Sequence, residues 1–376
     1  MKVIKNGKII LPDAEGNFFV AEDKEIAFDE KILQIENKID AVEVIDAENF
    51  FVAPGFINIH IHGCNNSDTM DDSADALKNI CNFLPSTGVT SFLPTTMTMT
   101  VEKIKNALTK IRAGNFSGAK ILGANLEGPF VSKKFCGAQD KKNILTADFE
   151  IFSDFADVIK IITIAPEELP NKNFIDKCLA KNIIVSIGHS AATYEIALDA
   201  IQRGASHITH LFNAQTGLHH RQPGIVGAAM TSKVFVELIA DNVHVHPAVQ
   251  KILSKVKPVS EIILITDSCR ACGIGDGEIE FGGQKVFVKN NVATLENGNL
   301  AASVAKMNDV VKNFYENTDF TLPEVIETVT KNPARELKVF DKVGSIEVGK
   351  AADFVIFDKN FAVQKTFVNG REIFSA

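Results

Sequence analysis

Residues 55–63 read Gly55-Phe56-Ile57-Asn58-Ile59-His60-Ile61-His62-Gly63, an apolar run in which two histidines stand one residue apart. On a strand, side chains two apart share a face, so Asn58, His60 and His62 point one way and Ile57, Ile59 and Ile61 the other. The isoleucines suit a face packed under helices. The imidazoles are then left pointing together at whatever else the fold gathers there.

Seven more short runs rich in Ile, Val, Leu and Phe follow, with helix-like segments between them: TSFLPTT, KILGANLEG, VIKIITIAPE, NIIVSIGH, ASHITHLF, VFVELIAD and EIILITD. Near-continuous apolar strands separated by crossover helices imply an α/β chain with a parallel sheet covered on both faces. Eight such units imply closure into a (β/α)8 barrel of the TIM type. The connecting helices have signals of their own. In SADALKNICNFLPSTG, Ser73 is a candidate N-cap, Ala76, Leu77, Ile80, Phe83 and Leu84 recur at helical spacing, and Pro85 and Gly88 mark the stop.

The chain ends read differently. Residues 1–50 hold short strand-like pieces (VIKNGKIIL, NFFVA, EIAFD, KILQIE) broken by Gly, Asn and Asp, and ADFVIFD, AVQKTFVNG and REIF repeat the style near the other terminus. Neither end is long enough for a good core, so residues 1–50 and 340–376 are expected to pair into one small β-sandwich domain, with 51–339 as the barrel. A β insertion, IEFGGQKVFVKNNVATLENG, follows the eighth strand, and two helices, around ASVAKMNDVVKNFYEN and LPEVIETVTKNPARELK, close the large domain.

The 376 residues are 45% hydrophobic, enough for a large core, and carry a net charge of -8 with a pI near 5.7. That acidity argues against a nucleic-acid partner, because phosphate backbones select basic surfaces. The first residues lack an apolar leader core, and no run approaches the roughly 18 apolar residues of a membrane span. The expectation is a soluble cytoplasmic protein without a membrane partner. Six scattered cysteines do not form a secreted disulfide framework, and the lone CxxC of Cys269 and Cys272 reads as two thiols in a loop.

Polar groups cluster at the strand ends instead. Glu127, His189, His210, Asp241, His244 and Asp267 end or follow strands 3, 5, 6, 7 and 8, adding to His60 and His62 on strand 1. With nine histidines in the whole chain, and with charges costly inside a barrel unless paired or metal-bound, this placement favours a metal centre. There is room for one or two divalent ions: His60 and His62 with Asp267 at one position, His189 with His210 at the other, and Glu127 bridging. Mixed imidazole and carboxylate ligation suits zinc first and also iron or manganese. Such an ion lowers the pKa of a water and polarises a carbonyl, the requirements of amide hydrolysis at neutral pH. Asp267, last on strand 8, is placed to accept the proton and return it to the leaving nitrogen. His207, three residues before His210, is assigned to the opposite face and a structural role, and His246 to a loop. No GxSxG elbow is present, and Ser186 lies within a strand, which removes a serine nucleophile.

These residues resemble the amidohydrolase superfamily and, within it, the N-acetylglucosamine-6-phosphate deacetylases. APGFINIHIHG, IGHS and ITDS carry the broad likeness; NLEGPF, THLFNA with LHHRQPG, the ADNVH segment and the closing GSIEVGKAADFVIFD carry the narrow one. The resemblance implies Glu127, His189 and His210 as metal ligands, His60 and His62 for a second site, and Asp267 as catalytic acid and base. It implies substrate contacts from Ala138, Gln139, Asn213, Ala214, Arg221 and His244, and a segment closing over the sugar at Leu300, Ala301 and Ala302. It also implies a homodimer in which one subunit helps to bind the phosphate of the other's amino-sugar phosphate. An Arg in a Pro- and Gly-bounded loop fits that phosphate.

Three positions depart from the family pattern. Gln139 replaces a histidine that polarises the acetyl carbonyl in one branch, Ala302 stands where glycine is expected, and QTG follows THLFNA. All border the sugar pocket, so the galacto epimer is the alternative substrate. A cyclic-amide hydrolase is disfavoured because Lys160 lies too early on strand 4 to be a bridging lysine. A catalytically silent sugar-phosphate-binding barrel is disfavoured because every ligand and Asp267 are present.

Overall fold

The alternation in FINIHI produces β1, Phe56–Ile61, in a computed structural model that describes every residue except 41, 42, 74 and 172. Positions 41 and 42 of the expected terminal domain and Ala74 of the expected first helix thus lie outside the described residues. β1 pairs in parallel with β2, Val89–Pro94. A parallel sheet then runs in chain order through β3 (Ala124–Glu127), β4 (Ile159–Ile164), β5 (Ile184–Ile187), β6 (His207–Ile208), β7 (Phe235–Leu238) and β8 (Ile262–Leu264).

Hydrogen bonds join the two groups at both margins. Thr95, past β2, bridges Asn125 of β3. Beyond β8, the Asp267 N–H donates to the His60 carbonyl at 3.0 Å, and the Ser268 carbonyl accepts from the His62 and Gly63 N–H groups at 2.9 Å. The parallel sheet is therefore curled, with its C-terminal strand ends on one side.

Amphipathic helices cover it. α1 (Asp75–Phe83) starts where Ser73 Oγ accepts from the Asp75 N–H at 3.1 Å, and buries Ala76, Leu77, Ile80 and Cys81. A 3-10 turn over Leu84–Thr87 follows and ends at Gly88, whose φ of +83° a side chain would strain. α2 (Val101–Ala113) connects β2 to β3, while short 3-10 turns alone stand between β3 and β4. α3 (Asn173–Ala180), α4 (Tyr194–Gln202), α5 (Gly224–Thr231) and α6 (Pro247–Val256) occupy the later connections. After β8 come the β insertion, strands Gly277–Phe281, Gln284–Lys289 and Val292–Leu295, and then α7, Met307–Asn317.

The last predicted helix is two. α8 (Leu322–Val329) ends at Thr330, whose backbone is not helical (φ -134°, ψ -75°), and α9 (Lys331–Glu336) starts beyond it. Pro333 explains the break, since it has no N–H to bond back across Thr330 and its ring crowds the preceding turn. Ile57 and Ile59 pack in one apolar cluster with Ala334 of α9, as the alternation in β1 requires.

The terminal pieces form two further sheets. One has strands Ile32–Glu36, Glu25–Phe28, Lys2–Lys5 and Glu43–Asp46; the other runs Arg371–Ser375, Val363–Val368, Phe354–Phe357, Phe51–Pro54, Lys8–Pro12 and Phe18–Ala21. The second sheet thus mixes strands from both ends of the chain. It also includes Phe51–Pro54, immediately before β1.

Candidate metal centre and its pocket

His60 and His62 share the face that the alternation in β1 predicts, and both are buried. The other groups reach the same point through backbone turns. His189, His210 and Asp267 follow β5, β6 and β8 with φ of +45°, +26° and +49°. Each left-handed residue costs about 1–2 kcal/mol outside glycine. Their side chains turn inward where a continuing strand would carry them past. Gly188 makes one turn feasible: a Cβ there would stand 2.6 Å from Thr209 Cβ.

Glu127, at the end of β3, is the hub. Its Oε1 lies 3.1 Å from both His189 Nε2 and His210 Nε2, and 3.4 Å from His60 Nε2. Its Oε2 lies 3.3 Å from His62 Nε2, which is 3.1 Å from Asp267 Oδ1. Among the described residues, His60, His62 and Glu127 form one group of potential metal ligands and Glu127, His189 and His210 another.

The donor arrangement fits a cation. His189 Nδ1 faces the Phe135 carbonyl at 3.1 Å and His210 Nδ1 the Asn213 carbonyl at 3.2 Å, so each is assigned its proton there. Both Nε2 atoms are then bare. They nevertheless stand 3.1 Å from each other and from a carboxylate oxygen. Three lone pairs facing one point repel unless a positive charge sits between them, and each outer N–H is held as in known histidine–metal sites.

Charge says the same at the other group. Burial alone would push His62 down, but hydrogen bonds to Asp267 and Glu127, with their charges, raise it to about 10. Burial would likewise lower His60, and Glu237, Asp267 and Glu127 raise it instead. Glu127 is opposed by burial yet held well below the carboxylate range when positive charge sits on His189 and His60, the charge that an ion among them would supply instead. Carboxylates that hold protons this firmly on imidazoles will also hold a metal ion in their place.

Above these groups lies a cavity of about 280 Å³, near the small end of ligand pockets and suited to one sugar ring rather than a polymer. His62, Glu127, His189, His210 and Asp267 form its floor, and Ala138, Gln139, Asn213, Ala214 and His244 its walls, with Leu300 and Ala302 at the insertion side. His244 is oriented by Asp241, whose Oδ2 takes its Nδ1 at 2.7 Å, leaving Nε2 for a ligand. Both ends of the Gln139 amide are engaged: Nε2 donates to Glu127 Oε2 and Oε1 accepts from the Thr98 N–H, each at 2.7 Å. Ala302 has φ +56°, which explains why glycine is expected there.

A family model described as the amidohydrolase family matches residues 51–373. The chain belongs to the amidohydrolase family. It is 39% identical to an N-acetylglucosamine-6-phosphate deacetylase of Bacillus subtilis over 99% of this chain and 94% of that one. An N-acetylgalactosamine-6-phosphate deacetylase of Escherichia coli O157:H7 is 34% identical over 88% and 89% of the two chains. The crystal structure of an N-acetylglucosamine-6-phosphate deacetylase from Pasteurella multocida superposes with a TM-score of 0.93 at 32% identity, covering both chains fully.

Three expected positions of this amidohydrolase stand apart from the cavity wall. His60 lies fully buried beneath the floor, and Ala301 is buried, with its N–H on the Ala293 carbonyl. Arg221 is exposed in its loop, its Nη1 2.6 Å from His220 Nε2, and does not line the pocket of its own chain.

Sequence reasoning passed over two residues. Phe281, from the β insertion, is 2% exposed and packs edge-on against His62 with ring centroids 5.1 Å apart. Glu237, in the middle of β7, is fully buried with Oε2 2.9 Å from His60 Nδ1. A signal for Glu237 existed, since it is the one charge in the run VFVELIA.

Several expectations for other residues hold. His246 Nδ1 accepts from the Ala248 N–H and caps α6, Lys160 Nζ donates to the Asp157 carbonyl, and Ser186 Oγ meets Thr209 Oγ1. Cys269 and Cys272 are buried and unpaired. His207 is structural but not on a face opposite the centre. It and the His210 N–H contact the same carboxylate, Glu237, and the parity argument fails because the left-handed backbone at His210 takes that residue's own side chain off the strand's alternation.

Proposed function

We propose that the chain hydrolyses the acetamide of N-acetyl-D-glucosamine 6-phosphate, giving D-glucosamine 6-phosphate and acetate. The observation that carries this reading is the convergence of Asp267, Glu127 and four imidazoles beneath a pocket sized for one sugar, in a chain so similar to deacetylases of that substrate.

Glu127, His189 and His210 would hold one divalent ion, and His60, His62 and Asp267 a second, with Glu127 between them. Zinc suits these donors first, iron or manganese next. An ion there supplies Lewis acidity that polarises a carbonyl and brings the pKa of a water to about 7. Asp267 takes the proton from the attacking water and delivers it to the nitrogen as the C–N bond breaks. Burial opposes an ionised Asp267, but positive charge on His60 and His62 holds it below its ordinary range, and an ion held by those rings would supply positive charge in the same place.

His244, Asn213, Ala214, Ala138 and the Leu300–Ala302 segment orient the sugar. Gln139 acts chiefly on Glu127, which leaves the acetyl carbonyl to the ion. Arg221, exposed and outside its own pocket, is assigned to the phosphate of a substrate held by the second subunit of a homodimer.

Residues 51–339 are assigned to a closed (β/α)8 barrel, supported by the hydrogen bonds at both margins of the parallel sheet. Residues 1–50 and 340–376 are assigned to a small β-sandwich domain, supported by an apolar cluster that joins Ile4, Ile26 and Phe28 to Phe354 and Phe367. The cytoplasm is the proposed location. Six free cysteines fit a reducing compartment, and no helix among the described residues is long and apolar enough to cross a membrane.

The test is acetate release by the metal-replete protein from N-acetylglucosamine 6-phosphate, its galacto epimer and the unphosphorylated sugar. Preference for the first supports the reading. Preference for the epimer, which the Escherichia coli relative keeps in view, would move the assignment to that sugar. Silence on all three would refute hydrolysis and favour a binding barrel.

A further inference from the structure

Glu237 has no part in the chemistry above, yet it touches both proposed metal positions. Its Oε2 takes His60 Nδ1 at 2.9 Å and the His210 main-chain N–H at 3.0 Å. Its Oε1 lies 3.1 Å from Nε2 of His207, whose Nδ1 lies 3.3 Å from Glu336 Oε1 on α9. Neither approach to His207 is aligned as a hydrogen bond, so both are ion pairs across short distances. A carboxylate at each ring nitrogen keeps His207 as an imidazolium, the counter-charge that a fully buried Glu237 requires.

One detail separates this arrangement from a buried ion pair that merely fills space. The Glu237 oxygen facing the centre is shared between a side chain of one position and the main chain of the other. Its bond to His60 places that ring's proton on Nδ1 and leaves Nε2 toward Glu127 and Asp267, where it has no hydrogen-bond partner of its own. Its bond to the His210 N–H holds the left-handed turn that brings His210 Nε2 beside His189.

We propose that Glu237 is a positioning residue that sets one ligand of each metal position, with His207 and Glu336 as its anchor. The inference rests on the two-position reading of the centre. Removing an acceptor of this kind weakens metal binding by about 10–100-fold in comparable sites.

The experiment measures Zn(II) content and chelator competition for wild type, Glu237→Gln and His207→Gln, with the visible spectrum of each Co(II)-loaded protein. Gln keeps the size of Glu237 but removes the charge that pairs with His207. The expected result is two ions on the wild type and retention weakened about 10–100-fold in Glu237→Gln, with an altered Co(II) spectrum. His207→Gln should move in the same direction by less, and it carries the test if Glu237→Gln does not fold. Wild-type ion count, competition and spectrum in the folded variant would overturn the proposal, even if its Tm fell. A wild type that binds no ion would overturn the metal reading itself, and this one with it.

Discussion

Asp267→Asn isolates the proton transfer assigned to this carboxylate. Asp267 sits at φ +49°, and Asn is among the residues that best tolerate that region. Its backbone is also tied independently of the side chain, through its N–H on the His60 carbonyl at 3.0 Å and its carbonyl on the Ser303 N–H at 2.8 Å. The amide should therefore occupy the place of the carboxylate, with the atom now facing His62 Nε2 uncharged and unable to take a proton. General base and acid assistance contributes typically about 10²–10⁴-fold, or about 3–5 kcal/mol of barrier. We expect kcat for acetate release to fall by that factor and KM to change little, because the lost interaction belongs to the transition state. Steady-state acetate release, run beside metal analysis of the same preparation, separates this from loss of the ion proposed at His60, His62 and Asp267, while Glu127, His189 and His210 remain for the other. A loss of less than about tenfold in a variant that keeps its ions would refute the role given to Asp267.

Arg221→Ala should raise KM for the 6-phosphorylated sugar while leaving the rate on the unphosphorylated one unchanged; equal losses on both would remove its phosphate role. Burial would lower His207, but the carboxylates facing its two ring nitrogens, Glu237 and Glu336, raise it to about 9. Its folded pKa exceeds its unfolded value, so its stabilisation is full below pH 6.5 and is lost as pH rises through 9, on the order of 3 kcal/mol in all. Urea midpoints of wild type and His207→Gln should accordingly converge between pH 6 and pH 10, and a constant gap would contradict the ion pairing. Phe281→Ala removes a buried ring lying over His62, which costs about 3–5 kcal/mol when the site cannot collapse. A fall in the urea midpoint together with a lower kcat/KM would place the insertion in the pocket wall, whereas unchanged kinetics would confine it to stability.

The parts of this molecule legible in the sequence are those governed by one period. Strand alternation placed His60 and His62 on a common face, and the apolar runs marked all eight parallel strands, although β6 and β8 proved to be only two and three residues long. Glu127, His189, His210 and Asp267 were visible because an ionisable group ending an apolar strand has few uses other than chemistry. Glu237 carried a similar signal inside its strand. What gave it meaning was His60, 177 residues away, and no local pattern encodes that contact. Phe281 was hidden for the same reason, since its insertion reads as ordinary β structure until it folds back over His62.

Arg221 and the left-handed residues show a second kind of limit. LHHRQPG identifies an arginine suited to phosphate, but residue type does not say which pocket it faces, and the loop leaves it outside its own. At His189, His210 and Asp267 the parity of a strand stops predicting direction, because one left-handed residue redirects every side chain after it. None of the three is glycine, so the conformation must be imposed by neighbours that over-determine it. The His210 N–H on Glu237 and the Asp267 N–H on the His60 carbonyl are two such constraints, and both run back to β1. The strand that carries His60 and His62 thus also helps to fix the backbone that presents His210 and Asp267. Loosening β1 should therefore disturb both proposed metal positions together, which neither group of residues would suggest if considered alone.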